Sequence, residues 1–339
     1  MKMKLSIFII LLMLLSSAFT QGVEKVGYSG YKFLSIPLDA RNTALGNSMI
    51  TDAKGANAIF VNPALLNQSS QVSVYVNQID YLLDMTYSAA AVSYRFGSFG
   101  VVGFHLAGFS SGDIKQTTLS MLNGVPVFEN PNNTFEYTAF NVGLSYARML
   151  TDRFGFGGTF SYVTENLTDG LPDDNQTKNV TFNIGTIYYP NFENFKSLRM
   201  AMSLYNFSPE TNVSGSFDDF NNGEVYETRE YQNFPLPLSF RFGISFDAFR
   251  NEENYVMLST MIEHPNDNHE RFGFGSEYGF KDLAYLRGGY IANDDSRSFS
   301  GGLGLKLKVS SKYILNFDYS YVDYGLLENV QYFSFNVSW

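Results

Sequence analysis

The sequence has no cysteine, one tryptophan and three histidines in 339 residues. Without thiols there is no disulfide framework, thiolate metal site, cysteine nucleophile or lipoprotein anchor. Charge is also scarce. Charged side chains make up 17%, against roughly 25% in ordinary soluble domains. Their formal sum is −10, with few basic clusters, which argues against nucleic acid as a partner. Beyond the amino terminus no apolar stretch reaches the ~18 residues of a membrane helix. Arg95 and His105 interrupt the longest candidate. What the chain has in abundance is aromatic: 32 Phe and 23 Tyr. With its aliphatic residues, this content excludes disorder.

The first twenty residues form a targeting segment. Lys2 and Lys4 precede an apolar run from Leu5 to Leu15, followed by Ser16, Ser17 and Ala18. A basic start, a short apolar core and small residues near the exit describe a secretory signal peptide, here residues 1–20.

The remainder alternates with period two. Phe240, Phe242, Ile244 and Phe246 share one face, and Ser239, Arg241, Gly243, Ser245 and Asp247 the other. About fourteen such segments recur, centred near Val74, Ala91, Val102, Gly143, Gly158, Ile184, Met202, Phe242, Leu258, Phe274, Leu286, Leu303, Leu315 and Phe335. Stretches of ~10 residues with one apolar and one small or polar face are the pattern of transmembrane strands. Every backbone polar group must be paired inside lipid, so such a sheet has to close. The longest gaps follow odd-numbered segments and the short ones mostly follow even-numbered segments, as outer loops and periplasmic turns require. The fold expected is therefore all-β: a transmembrane antiparallel β-barrel of about fourteen strands over residues 71–339. Residues 21–70 lack the alternation and are expected to form an amino-terminal hatch that plugs or covers the lumen.

Several features point at function. Arg41 sits in the hatch. Arg153, Arg199, Arg241, Arg271, Lys306 and Lys308 fall on the expected inner face, as do Asp247 and Glu277. They read either as structural pairs in the lumen or as a polar path or anionic-ligand site. The chain ends on Phe333, Phe335, Val337 and Trp339, which resembles the aromatic carboxyl-terminal signal read by the barrel-assembly machinery. His264, Asp267, His269 and Glu270 offer two imidazoles and two carboxylates in one outer turn. A solvated polar hairpin is the preferred explanation, and no metal or cofactor is assigned. No nucleophile elbow or phosphate loop occurs, so no catalytic residue is assigned and no enzymatic activity is expected.

The stretch Phe33-Leu34-Ser35-Ile36-Pro37, then Asp39-Ala40-Arg41, Ala44-Leu45-Gly46 and Asn62-Pro63-Ala64-Leu65-Leu66, resembles the start of PorV/PorQ family proteins. The resemblance continues through Pro235-Leu236-Pro237-Leu238, Glu263-His264-Pro265 and Arg287-Gly288-Gly289-Tyr290. It implies a barrel of the FadL type in the outer membrane of a Bacteroidetes-type bacterium, with Arg41, Gly46, Asn62, Pro63 and Ala64 in a hatch motif. It also implies a role in type IX secretion, with secreted cargo domains or a translocon as partners besides outer-membrane lipid. The alternative it implies is FadL-like transport of hydrophobic small molecules.

Overall fold

The computed structural model describes residues 26–122, 125–129, 133–169, 176–193, 195–212, 216–221 and 224–339. The expected signal peptide, residues 1–20, lies outside them. Fourteen antiparallel strands form the wall: β1 Val72–Asp80, β2 Thr86–Arg95, β3 Val101–Ser110, β4 Thr134–Met149, β5 Phe154–Asp169, β6 Gln176–Tyr188, β7 Arg199–Phe207, β8 Ser239–Arg250, β9 Asn254–Pro265, β10 Arg271–Phe280, β11 Ala284–Ala292, β12 Phe299–Lys308, β13 Ile314–Asp323 and β14 Asn329–Ser338. Each of the fourteen positions read from the sequence falls in its own strand. Neighbours in sequence are neighbours in the sheet, and β14 pairs with β1 to close it. Val72 and Trp339 exchange both backbone hydrogen bonds at that seam, at 2.9 and 3.0 Å.

Closure is what lets alternation act as a membrane address. Phe140, Leu144, Phe160, Leu286, Leu303 and Phe335 all face outward and are exposed. With every wall strand bonded on both sides, those side chains meet hydrocarbon without leaving backbone groups unpaired. Aromatic pairs gather where strands end, including Tyr94 with Phe96, Phe99 with Tyr146 and Tyr313 with Trp339, as in the girdles of membrane barrels. The end holding Val72 and Trp339 carries short turns and is the periplasmic one. The opposite end carries the long connections 111–133 and 208–238, each with its own two-stranded ribbon.

The rim is uneven. β1 has nine residues, while β4 and β5 have sixteen each and rise further outward. The ladder is unbroken on both sides of β3. It is irregular at β7, where Asn206 takes a positive φ of 58° and its N–H turns to the Asn183 side chain.

Residues 26–70 run along the inner surface of the wall. They contain two short helices, α1 Ala40–Ala44 and α2 Ala58–Val61, flanked by 3₁₀ turns at Lys32–Ser35 and Pro63–Gln68. Asp39 begins α1 by accepting from the Asn42 N–H at 2.7 Å, an N-cap that satisfies an otherwise orphaned donor. Toward the outside, Tyr31, Phe33 and Leu38 pack with Tyr87, Phe109 and Tyr332. Further in, Ile50, Ile59, Leu65 and Leu66 pack with Tyr75, Val101, Ala147 and Ile187.

Candidate functional site in the lumen

Wall glycines decide where the inner segment sits. Gly46 has φ +61°, a left-handed value that glycine adopts without penalty. A Cβ there would lie 2.8 Å from the backbone of Tyr290 and 2.9 Å from the Phe274 carbonyl. The facing wall residues Gly273, Gly275 and Gly289 are bare for the same reason, since a Cβ on any of them would collide with the Leu45–Ser48 turn. The Asn62-Pro63-Ala64 run docks likewise on Gly157 and Gly185. Pro63 starts the 3₁₀ turn, where its missing N–H is not needed. Asn62 is fully buried and fully employed. Its amide donates to the carbonyls of Ile50 at 3.0 Å and Thr186 at 3.1 Å, and its Oδ1 accepts from the Ala64 N–H at 3.1 Å.

Arg41 is the centre of an ionic network at the periplasmic half. Its guanidinium grips Glu277 through two bonds of 2.8 and 2.9 Å, and donates to the Asp52 carbonyl and carboxylate at 3.0 Å each. Arg287 donates to Glu277 Oε2, the oxygen that also accepts from Arg41 Nε, at 2.6 Å, and to Asp318 at 2.6 Å. The Tyr255 hydroxyl adds a 2.6 Å bond to Glu277. Glu277 is wholly buried, so these donors replace its lost water. Close by, Asp247 accepts from Arg199 at 3.2 Å and Arg250 at 2.6 Å. Beside this network lies a polar cavity of about 210 Å³.

A second network lies toward the outside. Glu263 pairs with Arg241 at 2.9 Å and Arg271 at 3.4 Å, and Arg271 reaches Asp294 at 3.4 Å. Asp294 lies in the β11–β12 connection. Burial there works against its ionisation, but Arg297 and then Arg271 outweigh it and hold the carboxyl well below the ordinary range. Beside Arg241 of this outer network a small cavity of about 50 Å³ is lined by Ile36, Pro37, Phe60, His105, Asn141 and Tyr205. His105 donates or accepts at 3.2 Å with Asn141, and its ring meets Phe60 edge-on.

Thus Arg199, Arg241, Asp247, Arg271 and Glu277 lie on the inner face, Arg241 with Arg271 in the outer network, Glu277 in the Arg41 network, and Arg199 with Asp247 in a smaller group beside it. Arg153 does not. It sits in the β4–β5 turn and is exposed, because β5 begins only at Phe154 and alternation was extended past the strand end. Lys306 and Lys308 reach Asp282 in a periplasmic turn, at 2.7 and 3.3 Å, and Lys308 is 62% exposed at the rim rather than enclosed. Sequence reasoning passed over Glu263, Arg287 and Asp318 as lumen charges. Strand parity could have found them: Arg287 alternates with Leu286 and Gly288, and Asp318 with Phe317 and Tyr319. Asp52 and Asp294 lie outside regular strands, where no periodic signal exists. Phe333, Phe335, Val337 and Trp339 occupy the outward face of β14 and its end.

The histidine-rich turn disperses. His264 pairs with Glu270 at 3.0 Å, whereas Asp267 turns away to Ser29 and Lys32. Among the described residues no group of three or more His, Cys, Asp or Glu side chains could hold a metal ion.

No family model matches the chain, and no curated protein matches it. Solved structures do. The toluene transporter TbuX of Ralstonia pickettii aligns over 92% of this chain and 98% of its own, with TM-score 0.53 and 15% identity. The Pseudomonas putida toluene transporter TodX aligns over 93% and 98%, with TM-score 0.56 and 12% identity. The CymD monoaromatic hydrocarbon channel aligns over 89% and 96%, with TM-score 0.54 and 12% identity. At such identities the likeness shows the fold alone, a closed antiparallel β-barrel of fourteen strands. It gives no support to membership of the PorV/PorQ family.

Proposed function

We propose that this barrel passes small hydrophobic molecules across the outer membrane, with residues 26–70 as its hatch. The observation that carries the reading is the segment itself, folded in the lumen with an apolar, aromatic outer cluster above a cavity. The fold shared with barrels described as toluene transporters and a monoaromatic hydrocarbon channel supports it. In this arrangement an apolar solute partitions first among Tyr31, Phe33, Tyr87 and Phe109, where its burial is favoured as that of any apolar surface. The cavity below holds only a few waters. Passage of a larger solute therefore requires the 34–38 segment over it to shift. These ion pairs keep the polar side of the lumen paired, which denies ions an open aqueous path. Phe333, Phe335, Val337 and Trp339 serve assembly in this reading, through the barrel-assembly machinery.

The test is uptake of labelled toluene by cells that produce or lack the protein. Producers should take it up faster. Phe60→Trp, which fills the cavity, should return uptake to background while the barrel still assembles. No difference between the cells, together with an exported protein co-purifying from native membranes, would replace this reading by a role in secretion.

A further inference from the structure

The cavity beneath residues 34–38 is not lined by apolar groups alone. Phe60, Tyr87 and Ile36 give it ring and aliphatic surface, and His105, Asn141 and Tyr205 give it polar atoms. The His105 ring is seated over a wall glycine, since a Cβ on Gly143 would stand 2.6 Å from its Cε1. Phe60 meets the ring edge-on, with 5.4 Å between centroids. Asn141 Oδ1 lies 3.2 Å from His105 Nε2. An amide oxygen only accepts, so Nε2 carries the hydrogen of that bond, and Nδ1 of the uncharged ring presents a lone pair. Among the described residues no group hydrogen-bonds to this Nδ1 or to the Tyr205 hydroxyl. His105 is 2% exposed and Tyr205 7%, so bulk solvent does not serve them.

A solute crossing this space displaces any water that serves these atoms. Displacement by a group that cannot repeat the water's hydrogen bonds loses affinity. One buried polar atom left without a partner weakens binding about tenfold or more. Toluene leaves both atoms unpaired. A carboxylate has no hydrogen for Nδ1. It is also repelled at the outer end, where the connection 208–238 carries Asp218, Asp219, Glu224, Glu227 and Glu230. An ammonium meets the Arg241 guanidinium, which lines the cavity and covers the Tyr205 ring at 4.6 Å. A hydroxyl donates one hydrogen and accepts another, and a phenolic hydroxyl is a stronger donor than an aliphatic one.

We infer that the preferred solute is a phenol with apolar ring substituents, its hydroxyl donating to His105 Nδ1 and accepting from Tyr205. The inference rests on the transport reading above and narrows it to a substrate class. The solute's ring lies against Phe60 and Ile36 once the 34–38 segment has shifted. His105 and Tyr205 then determine specificity, because they favour the hydroxylated ring over the same ring without its hydroxyl.

Cells producing the protein are given labelled toluene with unlabelled p-cresol, p-methylanisole or toluene as competitor, and labelled p-cresol in parallel. p-Cresol should halve toluene uptake at about one-tenth of the concentration that unlabelled toluene needs. p-Methylanisole has the same oxygen without its hydrogen and should compete no better than toluene. His105→Phe, in a barrel that keeps heat-modifiable gel mobility, should remove the p-cresol advantage, and Tyr205→Phe should reduce it. The inference is overturned, with transport intact, if p-cresol competes no better than toluene or p-methylanisole, or if both variants keep the full advantage. If producers take up neither labelled compound faster than cells lacking the protein, the transport reading falls and this inference with it.

Discussion

The two halves of the wall hold the inner segment by different physics. From β1 to β6 the contact is mostly close packing: Tyr75, Ala91, Val101, Ala147 and Ile187 meet Ile50, Ile59, Leu65 and Leu66. From β8 to β13 close approach at Gly273, Gly275 and Gly289 is joined by an ionic anchor: Arg41 of the segment holds Glu277, which Arg287 and Asp318 hold in turn. A packed contact loses stability in proportion to the volume removed. An enclosed ionic network fails differently, since removing one member leaves the others charged and unpaired. The same segment is thus seated by shape on one side and by shape and charge together on the other.

Removing both contacts at once should have the largest effect. A chain lacking residues 23–70 should insert as a barrel and conduct ions in planar bilayers, where the full-length protein conducts little. Equal, low conductance would show that the wall's own side chains close the lumen. Breaking one side is the next step. Glu277→Ala leaves Arg41 and Arg287 without their shared carboxylate and should cost about 3–5 kcal/mol in urea unfolding followed by gel mobility. Leu66→Ala on the packed side should cost about 2–5 kcal/mol. The sharper contrast is between conservative variants: Glu277→Gln keeps the shape but removes the charge and should still lose much of this stability, whereas Leu66→Met keeps the volume and should cost under ~1.5 kcal/mol.

A neighbouring pair isolates the close approach. A Cβ on Gly289 collides with the backbone of Leu45 and Gly46, whereas one on Gly288 meets nothing within 4 Å. Gly289→Val should therefore raise ion conductance, and Gly288→Val should leave it unchanged. The smallest effect lies at the periplasmic turn. Partial burial disfavours the Asp282 carboxylate, but hydrogen bonds from Lys306 and Tyr285 outweigh it and lower its pKa from 3.8 to about 2. A carboxyl with a lowered pKa stabilises the fold above its unfolded value and loses that contribution as pH falls through the folded one. The gain of wild type over Asp282→Asn should thus be present above pH ~4 and fade toward pH 2. Because the pair is partly exposed, it should stay within ~1 kcal/mol and shrink in high salt.

The outward face was the more legible one. Lipid asks only for apolarity at every second position, and Phe242, Ile244, Leu303 and Leu305 meet that demand locally. The inward face was read less well, because its chemistry is set by what lies opposite. Ser245 looks on alternation like a roomy lumen position that would tolerate arginine. It is wholly buried instead, bonded at 2.6 Å to the Thr51 hydroxyl, so Ser245→Arg would unseat the segment. Arg153 failed for a simpler reason: periodicity does not announce the residue at which a strand ends.

By itself the sequence determined the strands, their number, the side of each that meets lipid and the existence of a non-strand segment before them. All of these follow from local rules, the two-residue repeat of a strand and the need to pair every backbone group in a membrane. Only the tertiary structure decided that Arg41 meets Glu277, that Asn62 ties Ile50 to Thr186, and that Gly46 rests on bare glycines of β10 and β11. Arg41 and Glu277 stand 236 positions apart. Contacts of that kind leave no periodic trace, because they arise only when the sheet closes and brings its far strands round to the segment inside.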